Sequence, residues 1–137
     1  MKNKFTKKEA EELLHYWIKN SEEDFKTAKS LFEAKRYHHC LFFCHLFLEK
    51  ILKALVVENT NWHPIPIHNL LKLARDSKIN LEEGLKKELS TINEFNLRAR
   101  YNDYKFQFYK KANEEYTNFW FKRCQEIYLW LKKKLTE

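Results

Sequence analysis

Glycine is almost absent: Gly84 is the only one in the chain, and Pro64 and Pro66 are the only prolines. A sandwich or barrel of β-strands needs a turn every ~8–12 residues, built largely from those two residue types. The chain lacks them, so helices with few connections suit it better. A single glycine also excludes a glycine-rich phosphate loop, and with it P-loop and dinucleotide-fold chemistry. Cysteines are few and odd in number: Cys40, Cys44 and Cys124, all in apolar stretches. The opening MKNKFTKKEAEELL has neither the apolar run nor the small-residue cleavage site of a secretory signal. Free thiols in a reducing cytosol, and hence a cytoplasmic protein, are the expectation. Long apolar runs are missing too. The most apolar one, Leu41–Val57, carries His45, Glu49, Lys50 and Lys53. It is too short and too charged to cross a bilayer, and it reads as a central core helix with no membrane role.

What is present is a globular mix. The 137 residues are 44% hydrophobic and 33% charged, which implies one domain over residues 1–137 with a core of its own. The net charge of +7 gives a general attraction for nucleic acid, anionic lipid or an acidic partner. Thr6 with Glu9 three residues later forms a capping box. The helix it opens carries Leu14, Trp17, Ile18, Ser21, Phe25, Ala28 and Phe32 at spacings of three and four, which predicts one helix over 7–35. A second helix is expected over Tyr37–Glu58 and stops before Pro64 and Pro66. A short third is expected over Ile67–Ser77, and a fourth from an Asn80 cap to about Arg98. Residues 101–110 read as an aromatic loop, and a last helix is expected from about Lys111 to Leu135, with the stripe Tyr116, Trp120, Cys124, Ile127, Leu131 and Leu135. The sum is all-α: a four- to five-helix, mainly antiparallel bundle.

Several groups could carry chemistry. His38, His39, Cys40, Cys44 and His45 have metal-binding side chains, but the Cys pair and the His pair lie on different faces of one helix, and zinc needs about four convergent ligands. No metal and no other cofactor is expected. Glu49 and Lys53 stand four apart in the favourable order for a helical ion pair. Spacing favours a solvated helix edge; the functional reading is a polar cluster in a cleft that binds or orients a ligand. His68 is expected in the first turn of the short third helix, where the helix end disfavours a charged ring and attracts anions. If the bundle brings Arg98 or Arg100 near His68, a His and an Arg converge on a phosphate, the pairing that RNA cleavage uses. Otherwise the arginines pair with Glu94 or Asp103. The segment from Arg98 to Lys111 sets Arg98, Arg100, Lys105, Lys110 and Lys111 among Tyr101, Tyr104, Phe106, Phe108 and Tyr109. Such a segment can grip a single strand, cover the bundle end or meet a partner. Lys132–Lys134 are read as serving the helix dipole and solubility.

The stretches SEEDFKTAKSLFEAKRYHHCLFFCHLFLEKILKALVV at 21–57, IHNLLKLA at 67–74 and RARY at 98–101 together resemble the HEPN domain over roughly residues 14–135. The resemblance implies a helical bundle that usually dimerises and that is often paired with a minimal nucleotidyltransferase as a toxin–antitoxin system. The candidate binding residues are Glu49, Lys53, His68, Arg98, Arg100 and Tyr101. In active members the chain is a ribonuclease with an Arg, four to six residues and a His. No arginine of this chain has a histidine at that spacing. His45 also stands where many members carry Gln. The first reading is therefore a dimeric interaction module with nucleotide or RNA contact. The alternative is a divergent ribonuclease using His68 with Arg100 or Arg98.

Overall fold

In the computed structural model, residues 5–100 and 107–135 are described, the side chains of residues 98–100 and 107 excepted. Among these residues there are six helices and no strands: α1 (Lys7–Glu33), α2 (Tyr37–Thr60), α3 (Leu70–Asp76), α4 (Glu83–Arg100), α5 (Gln107–Lys111) and α6 (Glu114–Lys134). The Thr6–Glu9 capping box opens α1 with both reciprocal bonds in place, at 2.9 and 3.1 Å. α1 and α2 run antiparallel: Trp17 faces Lys53, Asp24 meets Lys50, and Phe32 meets Tyr37. α6 returns against both. Phe25 of α1 and Phe47 of α2 meet the Tyr128 ring, and the buried Ser21 and Tyr128 hydroxyls lie 2.9 Å apart. α4 runs antiparallel to α6, with Glu88 on Arg123 and Phe95 against Trp120 and Tyr116. The expected bundle is thus formed by α1, α2, α4 and α6, while α3 and α5 are short connectors.

α2 is the axis. Fourteen of its residues are buried, and Leu41, Phe47, Leu48, Ile51, Leu52 and Leu55 are wholly inaccessible. Its side chains meet Phe95 and Ile92 of α4, Leu70 and Leu73 of α3, and Cys124 and Leu131 of α6 in one core. Fully burying a ring such as Phe47 or Phe95 contributes roughly 1.5–3 kcal/mol. Three thiols, Cys40, Cys44 and Cys124, are free and buried in this core.

The scarcity of glycine is met in an unusual way. α1 ends with Lys35 at φ 61°, whose N–H bonds Phe32 O, while the Arg36 N–H reaches back to Leu31 O. This is a complete Schellman closure with lysine where glycine is preferred. Asn61 (φ 62°) ends α2, and Lys78 (φ 66°) follows α3 in the same left-handed conformation.

Several boundaries differ from the sequence expectation. α3 begins at Leu70, not Ile67, because Asn69 is the true N-cap: its side chain accepts from Leu71 and Lys72 N–H. His68 therefore lies before the helix and not in its first turn. Asn80 does not cap α4, which starts three residues later at Glu83. Residues 107–111 form the short helix α5, and the last helix starts at Glu114, capped by Asn113. Lys132–Lys134 do more than serve the dipole: Lys132 bonds Glu22 at 2.9 Å, and Lys134 sits 4.5 Å from the Trp130 ring centre. No described helix is long and apolar enough to cross a membrane.

Candidate functional site

His45, Glu49 and Lys53 are spaced by four on α2, which turns all three toward one face. The solvated edge is not what forms. All three are buried, Glu49 with 3% and Lys53 with 6% of its surface exposed. Lys53 Nζ donates to Glu49 Oε2 at 2.8 Å, and its ammonium lies 5.1 Å from the centre of the Trp17 ring on α1. That combination of ion pair and ring face is what lets a lysine stay charged away from water. Glu49 Oε1 accepts from His68 Nδ1 at 3.1 Å, and His45 Nδ1 approaches the same oxygen to 3.6 Å. His45 Nε2 donates to the His68 backbone carbonyl at 2.8 Å. α2 thereby holds the segment before α3 from two sides. Asn93 of α4 secures it further, accepting from Leu70 N–H at 2.9 Å and donating to Asn69 Oδ1 at 3.2 Å.

The electrostatics are decided by competition. Burial pushes the Glu49 carboxyl up, but the Lys53 ammonium and the His68 N–H outweigh it and hold the group below its ordinary value. For His45 the balance goes the other way. Burial lowers it to about 4, and the nearby Glu49 carboxylate does not recover the loss. His45 is therefore neutral at pH 7, with its proton on Nε2 and a bare Nδ1 that has no hydrogen-bond partner. Because an ionised carboxylate only accepts, the His68 proton sits on Nδ1. Its Nε2 lies on a side chain that is 47% exposed. A ring oriented by a carboxylate on a half-exposed side chain can exchange a proton with a group bound beside it.

The structure brings Glu49, Lys53 and His68 together as one cluster. The Arg98 and Arg100 side chains, and Tyr101, lie outside the described residues, so the expected convergence of His68 with an arginine lies outside them as well. Sequence reasoning missed Trp17, read only as core, and Asn93. It noted His45 without assigning it to the cluster, although the 45/49/53 spacing was the available signal. His38 and His39 sit near Tyr109 at the far end of α2, away from His45. Among the described residues no group of three or more His, Cys, Asp or Glu is arranged to hold a metal.

Comparison with curated proteins finds no match. Comparison with solved structures finds none either. The family model described as HEPN domain matches residues 14–135, which span α1 from its second turn through the end of α6 and so include the whole Glu49 cluster. The chain belongs to the HEPN domain family.

Proposed function

We propose that this chain is the HEPN component of a HEPN/minimal-nucleotidyltransferase pair, a dimeric cytoplasmic interaction module that also contacts nucleotide or RNA. The observation that carries the interaction role is the outer side of α6. Phe119 (59% exposed), Leu129 (56%) and Trp130 (39%) stand in solvent on a chain whose core is already filled. Large apolar side chains left outside a well-packed bundle belong under a partner. Glu49 and Lys53 support the same reading, because they neutralise each other inside the fold. The toxin–antitoxin pairing is what the family resemblance implies. The test is light scattering of the 16.9-kDa chain at micromolar concentration, alone and with its nucleotidyltransferase. Twice that mass, or a stable complex, is expected, and Trp130→Glu should weaken it. Only monomer in both cases ends this reading.

The His68–Glu49 arrangement favours a second reading, a divergent ribonuclease. Glu49 orients the ring, and Nε2 takes a proton from a ribose 2′-hydroxyl whose oxygen attacks the adjacent phosphorus, forming a cyclic phosphate and releasing the 5′-oxygen, which takes a proton from water, while Arg100 or Arg98 meets the phosphate. Under this reading His68→Ala abolishes RNA cleavage and leaves RNA binding nearly intact. Arg100→Ala weakens binding itself. Absence of any cleavage by the wild-type chain removes the reading.

A further inference from the structure

At the end of the bundle where α1 turns into α2, a cavity of about 310 Å³ opens between that turn and the α5–α6 junction. Its walls carry Lys35, Arg36, His38, His39, Tyr109 and Lys110. Lys35, Arg36 and Lys110 are exposed, and none of the three is in an ion pair among the described residues. The two imidazoles lie 4.3 Å apart between ring centres, tilted by 37°, and His38 meets the Tyr109 ring edge-on at 5.6 Å. Three full positive charges therefore share one small concavity without a carboxylate in its wall. A carboxylate beside it, Glu114, acts on the Tyr37 hydroxyl and raises its pKa, after the larger effect of burial. Like charges so placed repel one another in the empty protein, whereas Lys50, Arg123 and Lys132 each have a carboxylate partner, Asp24, Glu88 and Glu22.

The shape narrows the ligand. A nucleic-acid strand is held by a track of cations and rings several nucleotides long. Here the three cations line one small cavity. A compact dianion, with several oxygens around one or two phosphorus atoms, can meet a guanidinium and two ammonium groups at once, and charge-assisted bonds of that kind are the strong ones.

We propose that this pocket binds a terminal phosphate, a phosphomonoester or pyrophosphate dianion, through Arg36, Lys35 and Lys110. The site rests on the nucleotide or RNA contact proposed above and gives it a place of its own, since neither the Glu49 cluster nor a partner protein enters it. The dianion has two possible sources, a small free phosphate compound or the 5′-phosphate of a strand.

The test is calorimetric titration of the isolated chain at low salt with pyrophosphate, with a 5′-phosphorylated trinucleotide and with its 5′-hydroxyl counterpart. Pyrophosphate is expected to bind. Arg36→Ala and Lys110→Ala are each expected to weaken it about tenfold, the scale of one charge-assisted hydrogen bond. Lys8→Ala, which removes the same charge at the opposite end of α1, is expected to change it by no more than about twofold, since exposed charges beyond a Debye length are screened. The exposed Lys110→Glu change keeps the test valid if Arg36→Ala disturbs the start of α2, and circular dichroism checks each fold. Binding of the phosphorylated strand but not the hydroxyl strand supports the site with a strand end as source. Binding of pyrophosphate alone supports it with a small compound as source. Equal binding of both strands, equal effects of all the alanine variants, or no binding of pyrophosphate to the wild-type chain overturns it.

Discussion

Lys53 Nζ lies 2.8 Å from Glu49 Oε2, one helical turn away on α2, and both side chains are almost wholly withdrawn from water. Removing one partner strands the other. Glu49→Leu alone should cost roughly 3–5 kcal/mol, the usual penalty for an uncompensated buried charge. The double change Glu49→Leu with Lys53→Met should recover most of that loss, because desolvation of both charges is avoided. Urea unfolding of the single and double variants measures the coupling. Additive losses would mean that the pair is not an energetic unit.

Acid should loosen the fold through His45. Its folded pKa of about 4 lies below the ordinary 6.5, so the unfolded chain binds more protons between those values. The contribution is therefore complete above pH 6.5 and is lost as the pH falls toward 4. Glu49, held below its ordinary 4.5, adds a further loss in the same direction at lower pH. The His45 share amounts to something on the order of 3 kcal/mol at 1.36 kcal/mol per pH unit. His45→Gln, which keeps a donor toward the His68 carbonyl, should flatten the slope of stability between pH 6.5 and 4. An unchanged slope in that variant would assign the acid sensitivity elsewhere.

The thiols should be silent in the native protein. Cys40, Cys44 and Cys124 are fully buried, and burial raises the Cys44 thiol well above its ordinary pKa, which suppresses the reactive thiolate. A chromogenic disulfide reagent should label all three only after denaturation. Elemental analysis of protein purified without chelator should find no stoichiometric zinc. Rapid labelling of the native chain, or one zinc per chain, would contradict this account of the core.

Lys78 offers a stabilising change. A β-carbon at φ 66° is strained, and glycine is not. Lys78→Gly should raise stability by about 0.5 kcal/mol, the strain relief less the extra freedom of the unfolded chain. A thermal midpoint that falls would show that the lysine side chain contributes more than its backbone costs.

The bundle was legible because its signals are local. The Thr6–Glu9 box and the three–four spacing of Leu14, Ser21, Phe25 and Ala28 depend only on neighbours along one helix. Boundaries failed at the caps. Asn69 caps α3, two residues past the expected start at Ile67, and nothing local distinguishes Asn80 from a cap. The cluster was only half legible. An i,i+4 Glu–Lys pair looks the same on a wet surface and in a core. Its burial depends on Trp17, thirty-six residues before Lys53, and on His68, nineteen after Glu49. Those are tertiary facts that no spacing within α2 contains.

The central place of α2 has a consequence for how the molecule breathes. The C-terminal turn of α6 can fray while the rest stays packed, so its amides can exchange with deuterium through small openings. α2 has no such route. Its inward face is shared by α1, α3, α4 and α6, and any motion that wets Leu48 or Ile51 must separate it from several of them at once. Its middle amides should exchange only when the whole chain unfolds. Those amides belong to the turns that carry His45, Glu49 and Lys53, so the polar cluster sits on the slowest-exchanging part of the protein.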